Sequence, residues 1–330
     1  MRGLQLQALG KPSDLKLTEL PDLLAPGAGW VRVRVAAAGL NFADTLMIAG
    51  QYQVKPALPF VPGLELAGTV LDVGPDVTHV KPGDRIMAAV EHGGFAEQAM
   101  VRAADAVLVP AGMDLVTAGG FVIAYGTSYG ALAWKARLLP GELLLVHGAA
   151  GGVGLTAVEI GKAMGATVIA TAGGADKCAV AKAHGADFTI DYRAEDVRDR
   201  VKAIAASLGR DGADVVYDPV GGEIFDASLR CVAWNARLLV VGFAAGKVQQ
   251  VPANILLVKN IDVLGVYWGS YRRHDPALVR EGFGALAAFY EAGKLKPHIS
   301  HRFDLAEADK AFDLLVGRKS TGKVVLTTGR

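Results

Sequence analysis

The chain has 330 residues, 52% of them hydrophobic, which is enough for two domains with sizeable cores. Its 34 basic and 33 acidic residues leave a net charge of +1, so no global field recruits nucleic acid or an anionic membrane. Two cysteines, Cys178 and Cys231, lie far apart and outside any metal or redox spacing; they exclude a disulfide framework and fit a reducing cytoplasm.

The amino terminus, Met1-Arg2-Gly3-Leu4-Gln5-Leu6-Gln7, lacks the apolar run of a signal peptide, which argues against export. From Trp30 to Pro110, short alternating runs such as Val31-Arg32-Val33-Arg34-Val35 and Thr69-Val70-Leu71-Asp72-Val73 are punctuated by Gly-Pro and Pro-Gly pairs. That texture predicts a twisted β-rich domain. The uncharged stretch from Leu115 to Trp134 is interrupted by four glycines and by Thr, Ser and Tyr, so it reads as a buried helix joining two domains rather than a membrane span.

From Gly141 to about Gly265 the texture becomes alternating strand and helix. Strands are predicted at Leu143–Val146, Val168–Thr171, Phe188–Ile190, Val215–Tyr217, Arg237–Val241 and Ile261–Gly265, giving a six-stranded parallel sheet. After Gly269 a helix over Val279–Ala292, a strand at His301–Phe303, a helix over Leu305–Val316 and a last strand, Gly322–Leu326, are expected to return to the β-rich domain.

Between the first strand of this sheet and its helix lies His147-Gly148-Ala149-Ala150-Gly151-Gly152-Val153-Gly154. Glycines there permit a sharp turn, backbone approach to a pyrophosphate and close helix packing, while the helix N-terminus faces the phosphates. With a second strand following at βαβ distance, the turn predicts dinucleotide binding. Where an NAD site places a carboxylate at the end of that strand, this chain has Gly173-Gly174, with Lys177 one turn on. Two small residues and a nearby ammonium favour NADPH over NADH, although Asp176 is close enough to read an unphosphorylated ribose.

Other segments carry a family resemblance. Gly63-Leu64-Glu65-Leu66-Ala67-Gly68-Thr69-Val70, Lys81-Pro82-Gly83-Asp84-Arg85, the glycine turn and Gly322-Lys323-Val324-Val325-Leu326 are similar to the medium-chain dehydrogenase/reductase superfamily. Gly39-Leu40-Asn41-Phe42-Ala43-Asp44, Val216-Tyr217-Asp218-Pro219-Val220-Gly221-Gly222, Val241-Gly242-Phe243 and Lys259 to Gly269 most resemble its zinc-free NADPH:quinone oxidoreductase group, which includes zeta-crystallin. The resemblance implies an α/β fold: a GroES-like β-rich catalytic domain over 1–124 and 268–330, and a Rossmann doubly wound domain over 125–267. It also implies a homodimer joined at the edge strand Ile261–Val266.

The superfamily's zinc enzymes use Cys, His and a further Cys as metal ligands. At the corresponding places stand Asn41, Leu64 and the segment Ile123–Tyr125, so no zinc is expected. Without a Lewis acid a simple ketone is a difficult substrate, whereas a quinone or enone delocalises the charge that hydride transfer creates. The implied reaction is NADPH-dependent reduction of such an acceptor. Two other readings stay open: an enoyl-thioester reductase, with Arg272-Arg273 meeting a CoA phosphate, and a non-enzymatic NADPH-binding crystallin-like or nucleic-acid-binding protein.

Carrying family roles onto matching positions, the pyrophosphate is expected on Ala150, Gly151, Gly152 and Val153. Gly173, Lys177, Tyr192 and Arg318 are expected around the ribose phosphate, and Thr127, Phe243, Val266 and Tyr267 around the nicotinamide. Asn41, Asp44 and Tyr52 are the candidate substrate-side residues, Asn41 as a donor to a carbonyl oxygen, Tyr52 as donor or proton source, and Asp44 as an orienting group. His92 and His147 receive no chemical role.

Overall fold

The computed structural model describes residues 1–329. In chain order come β1 (Arg2–Gln5), β2 (Lys16–Glu19), β3 (Trp30–Gly39), α1 (Phe42–Ile48), β4 (Glu65–Val73), β5 (Arg85–Ala89), β6 (Gln98–Arg102), β7 (Ala106–Leu108) and α2 (Leu115–Gly119). Next are α3 (Val122–Tyr129), β8 (Leu143–Val146), α4 (Gly152–Ala163), β9 (Thr167–Ala172), α5 (Ala175–Ala183), β10 (Phe188–Asp191), α6 (Val197–Ser207) and β11 (Ala213–Asp218). They continue with α7 (Glu223–Ser228), β12 (Val232–Val240), α8 (Ala253–Lys259), β13 (Asp262–Gly265), α9 (Trp268–His274), α10 (Pro276–Glu291), β14 (Ile299–Asp304), α11 (Ala308–Val316) and β15 (Lys323–Thr327). Two compact units result: Met1–Ala124 with the segment from Pro297 onward, and Tyr125–Lys296.

The first unit is built on a largely antiparallel sheet in the order β14-β15-β3-β4-β5-β7, with β6 also pairing with β3. The alternation in β3 does what it predicts. Val31, Val33 and Val35 are fully buried while the arginines between them point away from the core, so one face of the strand joins Leu66, Ile86 and Val101. The carboxyl-terminal segment completes this unit. β15 pairs with β3 through Val325 opposite Gly39 and Leu326 opposite Ala38, and Phe312 of α11 meets Phe95 edge to face at 6.1 Å. Burying each such side chain contributes about 1.5–3 kcal/mol.

The second unit holds six parallel strands in the order β10-β9-β8-β11-β12-β13. All four residues of β8 are buried, as a central parallel strand with covered faces requires. Strand order reverses between β8 and β11, which is the crevice where open α/β sheets bind ligands. The predicted strands are all present. β12, however, begins at Val232 and not near Arg237, because exposed Trp234 and the left-handed Asn235 (φ 63°) interrupt the apolar signal at its start.

Residues 115–134 form no single helix. α2 ends at Gly119, whose Cα lies so close to Ala37 that a Cβ would come within 2.8 Å of the Ala37 Cβ, and α3 runs into a π-helical turn over Gly130–Lys135. Among the described residues no helix is long and apolar enough to cross a membrane.

The sequence places the return to the first domain at residue 268, but Trp268–Lys296 packs within the second unit. The reason is an interlock of aromatics and glycines. The Trp268 ring lies where a Cβ on Gly126 would come within 2.6 Å, and it meets Phe283 edge to face at 6.0 Å. Trp134 leans on Tyr271 at 5.0 Å and faces Gly282.

Candidate functional site

In the second unit the turn after β8 is held by backbone bonds on both sides: His147 N–H to Tyr217 O at 3.0 Å, and Ala149 N–H to Thr171 O at 3.0 Å. Gly148 makes the bend itself with φ 58°, and a Cβ on Gly154 would overlap the Gly148 carbonyl, so the helix can approach the turn only as glycine. α4 then starts with no side chain capping it. Its first N–H groups, around Gly151, Gly152 and Val153, supply a positive helix terminus beside the β8–β11 crevice. Ala150 is buried beneath them.

Ser128 of α3 ties the neighbouring helix to this turn. Its hydroxyl donates to Val153 O at 2.8 Å and lies 2.8 Å from Thr156 Oγ1 and 2.9 Å from Tyr217 Oη, so half-buried Thr127 is carried on a helix fixed to the glycine turn. No local pattern marks Ser128 in the sequence. His147 is fully buried, with Nδ1 2.9 Å from Thr171 Oγ1 and Nε2 2.8 Å from Ser228 Oγ; burial pushes its pKa down. Both ring nitrogens are spent on structure.

At the end of β9, Gly173 leaves room for the Tyr192 hydroxyl, which would lie 2.5 Å from a Cβ there. Asp191 Oδ1 accepts the N–H groups of Gly174 at 2.9 Å and Arg193 at 3.0 Å, and those bonds hold its carboxyl below the usual range. The Arg193 guanidinium is thereby brought to the Gly173–Gly174 shelf, where Nη1 is 3.6 Å from the Cβ position of Gly174. Lys177 is half-buried on the first turn of α5, and Asp176 beside it is exposed. Arg193 is a cation that the sequence reading missed, because its place depends on the carboxylate two residues before it. Exposed Phe243 and Tyr267, with Val266, follow the carboxyl ends of β12 and β13; Val241 N–H bonds Asp218 O and Val266 N–H bonds Val240 O. Arg318 lies in the first unit, on the exposed turn after α11 with φ 55°.

In the first unit Asn41 precedes α1 and Glu65 opens β4. Glu65 is fully buried: Oε1 accepts Asn41 Nδ2 at 2.9 Å and Lys323 Nζ at 2.8 Å, and Oε2 accepts the Ile123 N–H at 2.9 Å. The Lys323 ammonium, on β15, also donates to Leu40 O and Asn41 Oδ1, each at 2.8 Å. Three N–H groups thus meet three acceptors. The Asn41 amide is equally committed, since its second hydrogen goes to Gly39 O at 3.2 Å. Lysine cannot accept and a carboxylate cannot donate, so the amide orientation is fixed by chemistry. Donation from Asn41 to a substrate carbonyl therefore requires one of these bonds to break.

Asp44 is also fully buried. Burial raises its carboxyl to about 7, against the pull of the Asn41 N–H, which bonds Oδ2 at 2.7 Å, and of the Lys323 charge. Tyr52 is half-buried against the first unit's core. The structure thus brings Asn41, Asp44, Glu65 and Lys323 into one network.

Zinc does not fit this donor set. An amide, a buried leucine and a backbone N–H stand where thiolate and imidazole would be required, and an ammonium already takes the oxygens of Asn41 and Glu65. Among the described residues no cluster of three or more His, Cys, Asp or Glu is placed to hold a metal.

The chain matches a family profile described as alcohol dehydrogenase GroES-like domain over residues 27–111 and another described as zinc-binding dehydrogenase over 152–288. The quinone oxidoreductase-like protein 2 homolog of Nematostella vectensis is 41% identical over 330 residues, covering 99% of this chain and 89% of that protein. The quinone oxidoreductase of Pseudomonas syringae pv. Tomato DC3000 superposes with a TM-score of 0.91 at 34% identity, over 99% of both chains. That of Escherichia coli, solved with NADPH, gives 0.89 at 30% identity over 99% of this chain and 100% of that one. Taken with the glycine turn and the paired units, these likenesses show that the chain belongs to the medium-chain dehydrogenase/reductase superfamily, in its quinone oxidoreductase group, and is an NADPH-dependent oxidoreductase.

Proposed function

We propose that this oxidoreductase works without zinc and reduces quinones or other conjugated carbonyl acceptors. The observation that carries the reading is the commitment of Asn41 and Glu65 to Lys323, which leaves those oxygens to an internal cation instead of a Lewis-acid metal. A conjugated acceptor suits such a site, because charge from hydride transfer spreads to a distant oxygen and ordinary hydrogen bonds suffice. Bound NADPH supplies the hydride. On the chain's side, Ala150, Gly151, Gly152 and Val153 hold the pyrophosphate, with Thr127, Phe243, Val266 and Tyr267 around the nicotinamide. Gly173, Lys177 and Tyr192 receive the ribose phosphate. Toward the acceptor, Tyr52 is the hydrogen-bonding group, while Asn41 and Asp44 fix the start of α1.

A reducing cytoplasm fits two buried free cysteines, Cys178 and Cys231. Pairing with a second copy fits β13, the last strand of its sheet, and α8 before it, which leaves Leu257 79% and Val258 78% exposed. The decisive experiment follows loss of NADPH and NADH absorbance against a quinone panel and an enoyl-CoA panel, with Lys177→Ala alongside. Quinone-dependent NADPH oxidation, weakened by Lys177→Ala in KM for NADPH and not in kcat, is expected. Turnover with enoyl-CoA alone would overturn the acceptor assignment, and equal use of NADH would overturn the phosphate site.

A further inference from the structure

Glu159, on the third turn of α4, is a buried carboxylate that the proposed chemistry does not use; only 3% of it is exposed. Its Oε2 accepts the Tyr125 hydroxyl at 2.6 Å and the Lys296 N–H at 3.2 Å, while Oε1 meets His184 Nδ1 at 2.5 Å. Tyr125 and Lys296 are the first and last residues of the second unit. The chain enters this unit at the first and leaves it at the second, and one oxygen atom holds both.

Packing alone does not explain a carboxylate here. Desolvating a charge in an apolar interior costs several kcal/mol, and a leucine would fill similar volume without that cost. What a leucine lacks is acceptors. A side chain that gathers both crossovers onto the third turn of α4 sets the point from which both connecting segments depart. α4 is also the helix whose first turn carries the cofactor glycines, about 10 Å along the axis from Glu159 at 1.5 Å per residue.

We propose that Glu159 is a hinge clamp: a positioning residue that pins both crossovers to the cofactor helix, touches neither cofactor nor substrate, and acts on turnover through the segments it holds. The role rests on reading α4 as the cofactor helix. Residues that hold a few element-terminal positions, far from the chemistry, often change kcat when they are altered, and Glu159 stands well away from the phosphate-binding end of α4.

The test compares wild type, Glu159→Leu, Glu159→Gln and Tyr125→Phe, by hydrogen exchange of the Lys296 amide, by NADPH affinity from fluorescence quenching, and by kcat with a quinone. In Glu159→Leu the Lys296 amide is expected to exchange roughly tenfold faster or more, from loss of a bond to a charged acceptor, while β8 and β9 stay protected. NADPH affinity is expected to hold and kcat to fall several-fold. Glu159→Gln keeps an oxygen for Tyr125 and Lys296 and offers His184 an N–H, so it should restore both exchange and kcat. Tyr125→Phe, which removes one bond, should fall between, and it carries the test if Glu159→Leu does not fold.

Unchanged Lys296 exchange, faster exchange spread evenly through the unit, or faster exchange with wild-type kcat would each overturn the clamp. So would a Glu159→Gln variant that behaves like Glu159→Leu. If wild type neither binds NADPH nor oxidises it, the cofactor reading fails, while the exchange measurement still decides whether Glu159 holds the crossovers.

Discussion

Lys323→Met breaks the buried network of the first unit at its cation. The substitution removes donors from Leu40 O, Asn41 Oδ1 and Glu65 Oε1 together, while the Asn41 amide and the Ile123 N–H still donate to Glu65. Two neutral acceptors lose a bond in a site where lysine is only 6% exposed, and a carboxylate loses its counter-charge. Removing one partner from a buried pair typically costs about 3–5 kcal/mol, which is between roughly a hundredfold and several thousandfold in an opening equilibrium. Because two units need not unfold together, a single unfolding free energy is the wrong measure. Native-state hydrogen exchange read by segment is the right one: amides of β3, β4 and β15 should lose protection by that factor while β8 and β9 do not. Adding Glu65→Gln should recover part of the loss by removing the orphaned charge. If β3, β4 and β15 change by less than about tenfold, the Lys323 ammonium does not stabilise the first unit through this network.

Three further outcomes are expected. Gly154→Ala forces a Cβ into the Gly148 carbonyl, so the turn must open and NADPH affinity, measured by fluorescence titration, should fall at least tenfold, on the order of 1.4 kcal/mol or more; retained affinity would refute the steric account. Arg193→Ala should weaken NADPH several-fold and leave NADH unchanged, an effect that shrinks with added salt, as charge-assisted phosphate binding does; equal loss for both nucleotides would move Arg193 away from the phosphate. Asp44 keeps its proton to about pH 7 in the folded chain but sheds it near 3.8, the ordinary aspartate value, when unfolded. Its contribution is therefore full below pH 3.8, declines as pH rises, and is gone above 7. Asp44→Asn should flatten the fall of stability with pH across that window, read by pulse-labelled exchange of β4 after urea equilibration at each pH. Parallel wild-type and variant curves would count against it.

The parts legible in the sequence are those with local causes. Continuous apolar runs such as Leu143–Val146 marked the central parallel strands, and the glycines of 148–154 marked the turn between β8 and α4, because period and bend are both set within a few residues. What escaped depends on partners distant in the chain. Lys323 stood out as part of a terminal motif, but its acceptors lie 258 to 283 residues away, and nothing near it announces them. The expectation for Asn41 came from its amide; whether that amide is spent depends on Gly39, Glu65 and Lys323 together. The place where the chain leaves the second unit was missed for a similar reason. Trp268 needs Gly126 beside it, and neither residue alone reveals the fit.

The pairing of Glu65 with Lys323 also orders events during synthesis. The two residues are 258 positions apart, so at typical elongation rates the carboxylate waits on the order of 10–50 s at the ribosome before its counter-ion exists. Over that interval the whole second unit can emerge and fold, while β3 still lacks its β15 neighbour and Glu65 lacks its ammonium. The first unit is thus begun first and finished last, and a nascent chain stalled before β15 would present an open sheet edge to chaperones with a charge held next to its core.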